Sequence, residues 1–148
     1  EIDVEIMCDP DAYAAFLETV PGYRLDNAEK DDLNFRSAES AFENSNYDRA
    51  IRGYTDYIRK FPNGRNLLVA RYHRGESYAA QDNFDQALRD YEWVIDRGQS
   101  RYFIPAMEKA AIIKALNLYH GNLSRTAKEL GMGRTTLYRK MDKYQINS

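Results

Sequence analysis

The chain has 148 residues, with 21 Lys and Arg against 23 Asp and Glu and a formal net charge of -2. Its 43% hydrophobic and 30% charged residues are ordinary for a globular protein and exclude a disordered or collagen-like chain. The single Cys8 excludes an internal disulfide and a cysteine-based zinc site, and no apolar run is long enough to cross a membrane. Because the chain starts with Glu1, we expect a fragment or processed form of a longer protein.

Charge is distributed unevenly along the chain. Residues 104–148 carry eight Lys and Arg and three acidic residues, a balance of +5, whereas residues 1–103 have a balance of -7. This asymmetry indicates that the basic segment, residues 104–148, binds a polyanion. A solvated surface of Lys and Arg is the other interpretation.

The first predicted helix covers residues 10–20 and ends at Pro21 and Gly22. Its apolar residues, Tyr13, Phe16, Leu17 and Val20, share one face. We expect residues 1–31 to form a capping helix and a polar connector that precede the next segment.

The body of the chain repeats itself at an offset of 37 residues. The matching pairs are Ala38/Gly75, Glu39/Glu76, Ser40/Ser77, Tyr47/Phe84, Asp48/Asp85, Ala50/Ala87, Ile51/Leu88 and Tyr54/Tyr91. Each copy reads as two amphipathic helices joined by a polar turn, at residues 44–46 and 81–83. Small residues in the first helix let the second pack closely, and the aromatic residues fill the gap between them.

This pattern resembles the tetratricopeptide repeat. In each copy an Ala follows the small residue by 12 positions and an aromatic residue follows four later, and Pro62 matches the proline that ends the repeat. The family period is about 34 residues, so the extra residues fall in the loop at 61–66. The first-helix Trp of the family is missing from both copies, and the second copy lacks the final Pro. We assign two such repeats to residues 32–103.

The resemblance implies a concave face that binds a peptide or protein segment. Six residues are placed on that face: Phe35, Glu39, Phe42, Tyr72, His73 and Glu76. The other interpretation is that the aromatic residues pack between helices and that His73 is an ordinary interhelical histidine.

The basic segment has a sharper pattern. Residues 106–119 predict an apolar-periodic helix, followed by a short helix at 123–130 that Gly131 ends and a last helix from Arg134 to Tyr144. Two short helices around a glycine-containing turn are typical of a helix-turn-helix, whose second helix enters the DNA major groove. In the last helix Leu137, Met141 and Tyr144 face inward, so the opposite face is left for phosphates and base edges.

Residues 108–144 resemble the Fis-type helix-turn-helix found in Fis and at the carboxyl terminus of NtrC-like activators. The matching residues include Gly121-Asn122, Thr126-Ala127, residues 130–132, Arg134 and residues 136–140. The resemblance and the exposed first turn together place eight residues at duplex DNA: Asn122, Ser124, Arg134, Thr135, Thr136, Arg139, Lys140 and Lys143. Gly133 stands where Fis has a polar DNA-contacting residue, so the chain departs from the family at that position.

The predicted fold is therefore all-α, with tetratricopeptide-like helical hairpins followed by a three-helix Fis-type unit at residues 104–148. Helix 106–119 also falls where a third repeat would begin, so the chain is either a natural regulator or an engineered fusion that shares this helix. Fis and the activators dimerise through helices upstream of this unit, and no obvious counterpart precedes it here. A homodimer through the repeats or through helix 106–119 is left open.

Two functions follow. In the first, the protein is a DNA-binding transcriptional regulator with a protein-interaction domain, in the cytoplasm. In the second, it is a repeat scaffold that binds a protein segment, and the last helices are a cap. The loop at residues 61–64 is similar to loops in bacterial envelope proteins, which would favour the periplasm for the repeats. We expect no membrane partner.

An enzyme is not expected. The sequence has no Gly-rich phosphate loop, no Ser/His/Asp or Cys/His set, and its two histidines, His73 and His120, lie in different segments. We also expect no cofactor and no metal ion.

Overall fold

The computed structural model describes residues 9–22 and 24–146. Within these residues it contains eight α-helices and no strand, which confirms the predicted all-α fold. The helices are α1 Pro10–Glu18, α2 Asn27–Glu43, α3 Tyr47–Lys60, α4 Leu67–Ala80, α5 Phe84–Asp96, α6 Phe103–Leu118, α7 Leu123–Glu129 and α8 Arg134–Lys143. The chain divides into two compact units, residues 1–77 and 78–148. Cys8 lies outside the described residues.

Helix α1 contacts α2 but buries none of its own residues. It starts at Pro10, and the Asp9 carboxylate caps it by accepting a 3.0 Å hydrogen bond from the Ala12 amide. Its apolar side chain at Phe16 is 59% exposed. A salt bridge of 2.6 Å between Asp11 and Lys60 also joins it to the end of α3.

The two repeat turns have the same backbone geometry. Ser45 and Asp82, 37 residues apart, both adopt left-handed φ angles, of 57° and 58°. The next residues, Asn46 and Asn83, cap α3 and α5 by accepting hydrogen bonds from amides three residues later, each at 3.4 Å. The repeated sequence therefore encodes a repeated local structure, since polar residues that tolerate the left-handed region recur at the same offset.

Close helix packing in the first hairpin depends on two small residues. A Cβ added to Gly53 on α3 would lie 2.8 Å from the Cβ of Ala38 on α2. Around this contact the core is built from buried small residues and the rings of Tyr54 and Tyr57. The aromatic residues thus fill the space that the small residues leave beside the helix crossing, as predicted.

The loop that lengthens the repeat is held by a buried carboxylate. Asp31 on α2 accepts three hydrogen bonds. The donors are the Tyr57 hydroxyl at 2.6 Å, the Asn66 side-chain amide at 2.7 Å and the Arg65 backbone amide at 3.1 Å. Burial, together with the bond to Asp31, raises the pKa of Tyr57. This network was not predicted, because its members lie in three separate segments of the chain.

In the second unit, α6 packs against α5 and also against α7. Its buried side chains cover two faces, with Ala106, Ala110 and Ile113 on one and Ile112 and Ala115 on the other. The helix begins three residues before the predicted start. It therefore occupies both positions that the sequence suggested, beside the second helix of a repeat and at the start of the helix-turn-helix.

Candidate nucleic-acid interface

The helix-turn-helix is built from α7, a turn at residues 130–133, and α8. The Asn122 side chain caps α7 by accepting a 3.1 Å hydrogen bond from the Arg125 amide. Gly131 follows the end of α7 with a φ of 70°, the left-handed conformation that glycine adopts without steric cost. The predicted helix boundaries agree with the structure within one residue.

The inward face of α8 is apolar. Leu137 and Met141 are buried, together with Ala127 of α7 and Ile146 after α8. The rest of the helix is in solvent: Thr135, Arg139 and Asp142 are exposed on the opposite face, and Arg134 and Tyr138 are exposed beside it. The face that the sequence assigned to DNA is therefore the solvent face of this helix.

A carboxylate on α6 holds the far end of α8. Glu108 accepts hydrogen bonds from the Lys140 ammonium group and from the Tyr144 hydroxyl, the latter at 2.8 Å. The bond from Lys140 is the largest influence on this carboxyl and lowers the pKa of Glu108, against partial burial. Burial, then the bond to Glu108, raises the pKa of Tyr144 to about 12.

The neighbouring Lys109 is a buried lysine, only 4% exposed. Its ammonium nitrogen lies 5.1 Å from the centre of the Tyr144 ring and 5.9 Å from that of the Tyr91 ring on α5. Both distances are within the range of cation–π attraction. Residues 108 and 109 thus connect α6 to the end of α8 in one direction and to α5 in the other.

The predicted DNA-contacting residues fall into two groups. Six are exposed: Asn122, Ser124, Arg134, Thr135, Arg139 and Lys143. Thr136 and Lys140 are half-buried, and Lys140 is paired with Glu108. That pairing was not predicted, because the two residues are 32 positions apart. Tyr138, an exposed ring among these residues, was not among the predicted contacts either.

A second feature of α6 is a line of exposed residues along its outer side. The line consists of Ile104, Met107, Ala111, Lys114 and Leu118, and we call it the α6 stripe. Ile104 and Leu118 are each 65% exposed. Lys114 forms a 2.9 Å salt bridge with Glu92 on α5. Successive members are three or four residues apart, so all five lie on one side of the helix.

The predicted peptide-binding residues form a packed cluster in the first unit. Glu39 accepts a hydrogen bond from the Tyr54 hydroxyl, and His73 Nδ1 lies 2.5 Å from the same Glu39 oxygen. Phe42 stacks on the His73 ring with centroids 4.4 Å apart. Burial raises the pKa of Glu39, but the bonds from His73 and Tyr54 outweigh it and leave that pKa lowered.

The other members are also engaged. His73 Nε2 lies 3.9 Å from a Glu76 oxygen, Phe35 packs edge-on against Tyr57 at 5.8 Å, and Tyr72 is buried. Of the six predicted residues, all except Glu76 thus take part in helix packing or in hydrogen bonds. Glu76 lies beside the His73 ring. Their role in binding a peptide remains a prediction.

The fold and this interface define an all-helical protein in which paired-helix repeats precede a helix-turn-helix of the DNA-binding class. Residues 103–144 match the family model described as bacterial regulatory protein, Fis family. Residues 32–64 and 69–97 match the model of the tetratricopeptide repeat. The chain therefore carries two tetratricopeptide repeats followed by a Fis-type helix-turn-helix, as predicted.

Both matched families are of regulator and repeat types rather than enzymes. No curated protein and no solved structure matches the chain. Across the residues that the structure describes, none of the helices combines the length and the hydropathy that crossing a membrane requires.

Proposed function

We propose that this protein is a transcriptional regulator that binds duplex DNA by placing α8 in the major groove. The observation that carries the proposal is the exposed surface of α8: Thr135 and Arg139 stand opposite the buried Leu137 and Met141, and Arg134 is exposed in the first turn. A helix-turn-helix needs a recognition helix with an apolar inner side and a cationic, hydrogen-bonding outer side. A simple capping helix does not need the arginines. This function belongs in the cytoplasm.

The residues divide by the chemistry of their side chains. Arg134, Thr136 and Arg139 are assigned to base edges, because arginine forks and hydroxyl groups read donors and acceptors in the groove. Five further residues are assigned to the sugar–phosphate backbone or the edge of the interface: Asn122, Ser124, Thr135, Lys140 and Lys143. Phosphate contacts make binding salt-dependent without carrying sequence information. Lys140 would reach a phosphate with the ammonium donors that its bond to Glu108 leaves unoccupied.

We further propose that two copies pair through the α6 stripe. Ile104 and Leu118 each lie seven residues from Ala111: in an antiparallel pair that crosses there, Ile104 of one copy meets Leu118 of the other, as a two-fold axis requires. Five residues form a surface much smaller than the roughly 800 Å² per partner of a stable interface. The pair would therefore form on DNA, where two half-sites about one turn apart hold the copies together.

The repeats, residues 32–103, would bind a segment of a partner protein and connect it to the DNA-binding unit, residues 104–148. The support is the match to the tetratricopeptide repeat. A scaffold without DNA binding is the competing function, since the same repeats would serve it equally well.

Fluorescence anisotropy tests the DNA-binding proposal. A labelled mixed-sequence duplex is titrated with the intact chain at low and physiological salt, using the wild type and the double variant Arg134→Ala/Arg139→Ala. We expect wild-type binding that weakens steeply with salt, and a loss of about 1–3 kcal/mol of binding free energy per arginine. The control is Arg59→Ala, which removes an exposed arginine of α3. Equal binding by all three proteins, or none by the wild type at low salt, would favour the scaffold.

A further inference from the structure

Two side chains on the solvent face of α8 are bound to each other. Arg134 Nη2 donates a 3.0 Å hydrogen bond to the Tyr138 hydroxyl, one turn later in the helix. The guanidinium carbon lies 5.8 Å from the centre of the Tyr138 ring. Tyr138 is 44% exposed, although it sits on a face that is otherwise polar. Burial of the ring in the helix core does not account for a tyrosine at this position.

The pair changes how the arginine can meet a base. An arginine guanidinium has five N–H donors in a rigid fork, and the bond to Tyr138 occupies only one of them. The donors that remain suffice for the bidentate contact with O6 and N7 of guanine, which is the commonest specific arginine contact in the major groove. A side chain that is already held in one orientation loses less conformational freedom on binding.

We infer that Tyr138 is a positioning residue that holds Arg134 for bidentate recognition of a guanine and thereby sets base preference at that position. The inference rests on the proposed DNA binding and deepens it. Tyr138 itself need not touch a base: its hydroxyl acts through the guanidinium. Overall affinity, which depends largely on phosphate contacts, would then change less than base discrimination.

The test begins with a site selected by the wild-type protein from a pool of randomised duplexes. Affinities for all four bases at each position of that site are then measured for the wild type, Tyr138→Phe, Arg134→Lys and the double variant. Tyr138→Phe keeps the ring and removes the hydroxyl. Arg134→Lys keeps the charge and removes the fork. Tyr102→Phe is the matched control, because it removes the hydroxyl of another arginine–tyrosine pair, formed with Arg101 beside the start of α6.

We expect one position where the wild type prefers guanine by about tenfold or more, and where Tyr138→Phe lowers that preference about three- to tenfold. Arg134→Lys should lower it at least as far, and adding Tyr138→Phe to Arg134→Lys should have little further effect, because both changes act on one contact. The salt slope of Tyr138→Phe and the behaviour of Tyr102→Phe should match the wild type.

Two outcomes would overturn the inference, and they are distinguishable. If the wild type selects a site but Tyr138→Phe leaves every base preference unchanged, the positioning role is wrong while DNA binding stands. If the wild type binds no duplex at low salt, the proposed function fails and the inference with it. Circular dichroism melting of each variant shows whether a loss of preference comes from unfolding. A change confined to one position with unchanged melting supports the inference.

Discussion

The Tyr144 hydroxyl donates a 2.8 Å hydrogen bond to Glu108, a residue 36 positions earlier in the chain. The other oxygen of the same carboxylate accepts a hydrogen bond from Lys140. These bonds join the end of α8 to α6, the helix that also packs against the second repeat. A carboxylate outside α7 and α8 thus adds a fixed contact to the apolar packing that holds α8.

The first prediction concerns that carboxylate. We expect Glu108→Gln to lower the free energy of unfolding at pH 7 by about 0.5–1 kcal/mol, a modest amount because the pair is partly exposed. Since folding lowers the pKa of Glu108, its contribution is present above the unfolded pKa of about 4.3 and is lost as pH falls through the folded pKa. The difference between wild type and variant should therefore shrink toward pH 3 in urea unfolding followed by circular dichroism.

The control for this series is Asp142→Asn, which neutralises an exposed carboxylate of α8 and should change stability by less than about 0.5 kcal/mol. An undiminished effect of Glu108→Gln at pH 3 would show that the ionised carboxylate is not the source of the stabilisation.

The second prediction concerns Glu39, which accepts hydrogen bonds from Tyr54 and His73. Replacing it with Gln leaves the buried Tyr54 and the half-buried His73 with a weaker acceptor, so we expect the free energy of unfolding at pH 7 to fall by about 1–3 kcal/mol. Folding lowers the pKa of Glu39, as it does for Glu108. The contribution of Glu39 to the free energy of unfolding is therefore lost as pH falls through the folded pKa. Glu43→Gln, an exposed position one turn later, is the control. Equal effects of the two changes in thermal melts would contradict the prediction.

The third prediction tests the close contact between α2 and α3. Because a Cβ at Gly53 would lie 2.8 Å from the Ala38 Cβ, Gly53→Ala should destabilise the protein by about 1–3 kcal/mol. Adding Ala38→Gly removes the opposing methyl group and should restore part of that loss, because the Ala38 Cα also lies 3.1 Å from the added Cβ. A double-mutant cycle in urea measures this coupling. Additive effects would mean that the Ala38 methyl group is not what opposes a Cβ at Gly53.

The fourth prediction tests the proposed pairing through the α6 stripe. Leu118→Gln should weaken binding to a duplex with two half-sites about tenfold, with no change on a single half-site, because it removes apolar contact between copies. Since Leu118 is 65% exposed, the thermal melt of the free chain should not change. Anisotropy on the two duplexes gives the comparison, with Val20→Gln, an exposed residue after α1, as control. An equal loss of affinity on both duplexes would contradict the prediction, because it would mean that Leu118 affects DNA binding by a single copy rather than contact between copies.

Local sequence determined most of the secondary structure. The turns at residues 44–46 and 81–83, the end of α7 at Gly131 and the inward set of α8 were all predicted correctly, because caps, left-handed residues and helical periodicity act within a few residues of the chain. The two families were likewise identified from short-range patterns, and the comparisons confirm them.

Only the tertiary structure decided which side chains meet across long separations. Glu108 is the first residue of the segment that resembles the Fis-type unit, yet nothing in its neighbourhood in the sequence shows that it binds Lys140 and Tyr144. The sequence likewise does not show that Asp31 binds Asn66. Nor does it show that Phe42 stacks on His73, two residues that were predicted to lie on a peptide-binding face. Such contacts depend on helix crossing angles and rotation about each helix axis. These follow from packing of the whole core rather than from any local pattern.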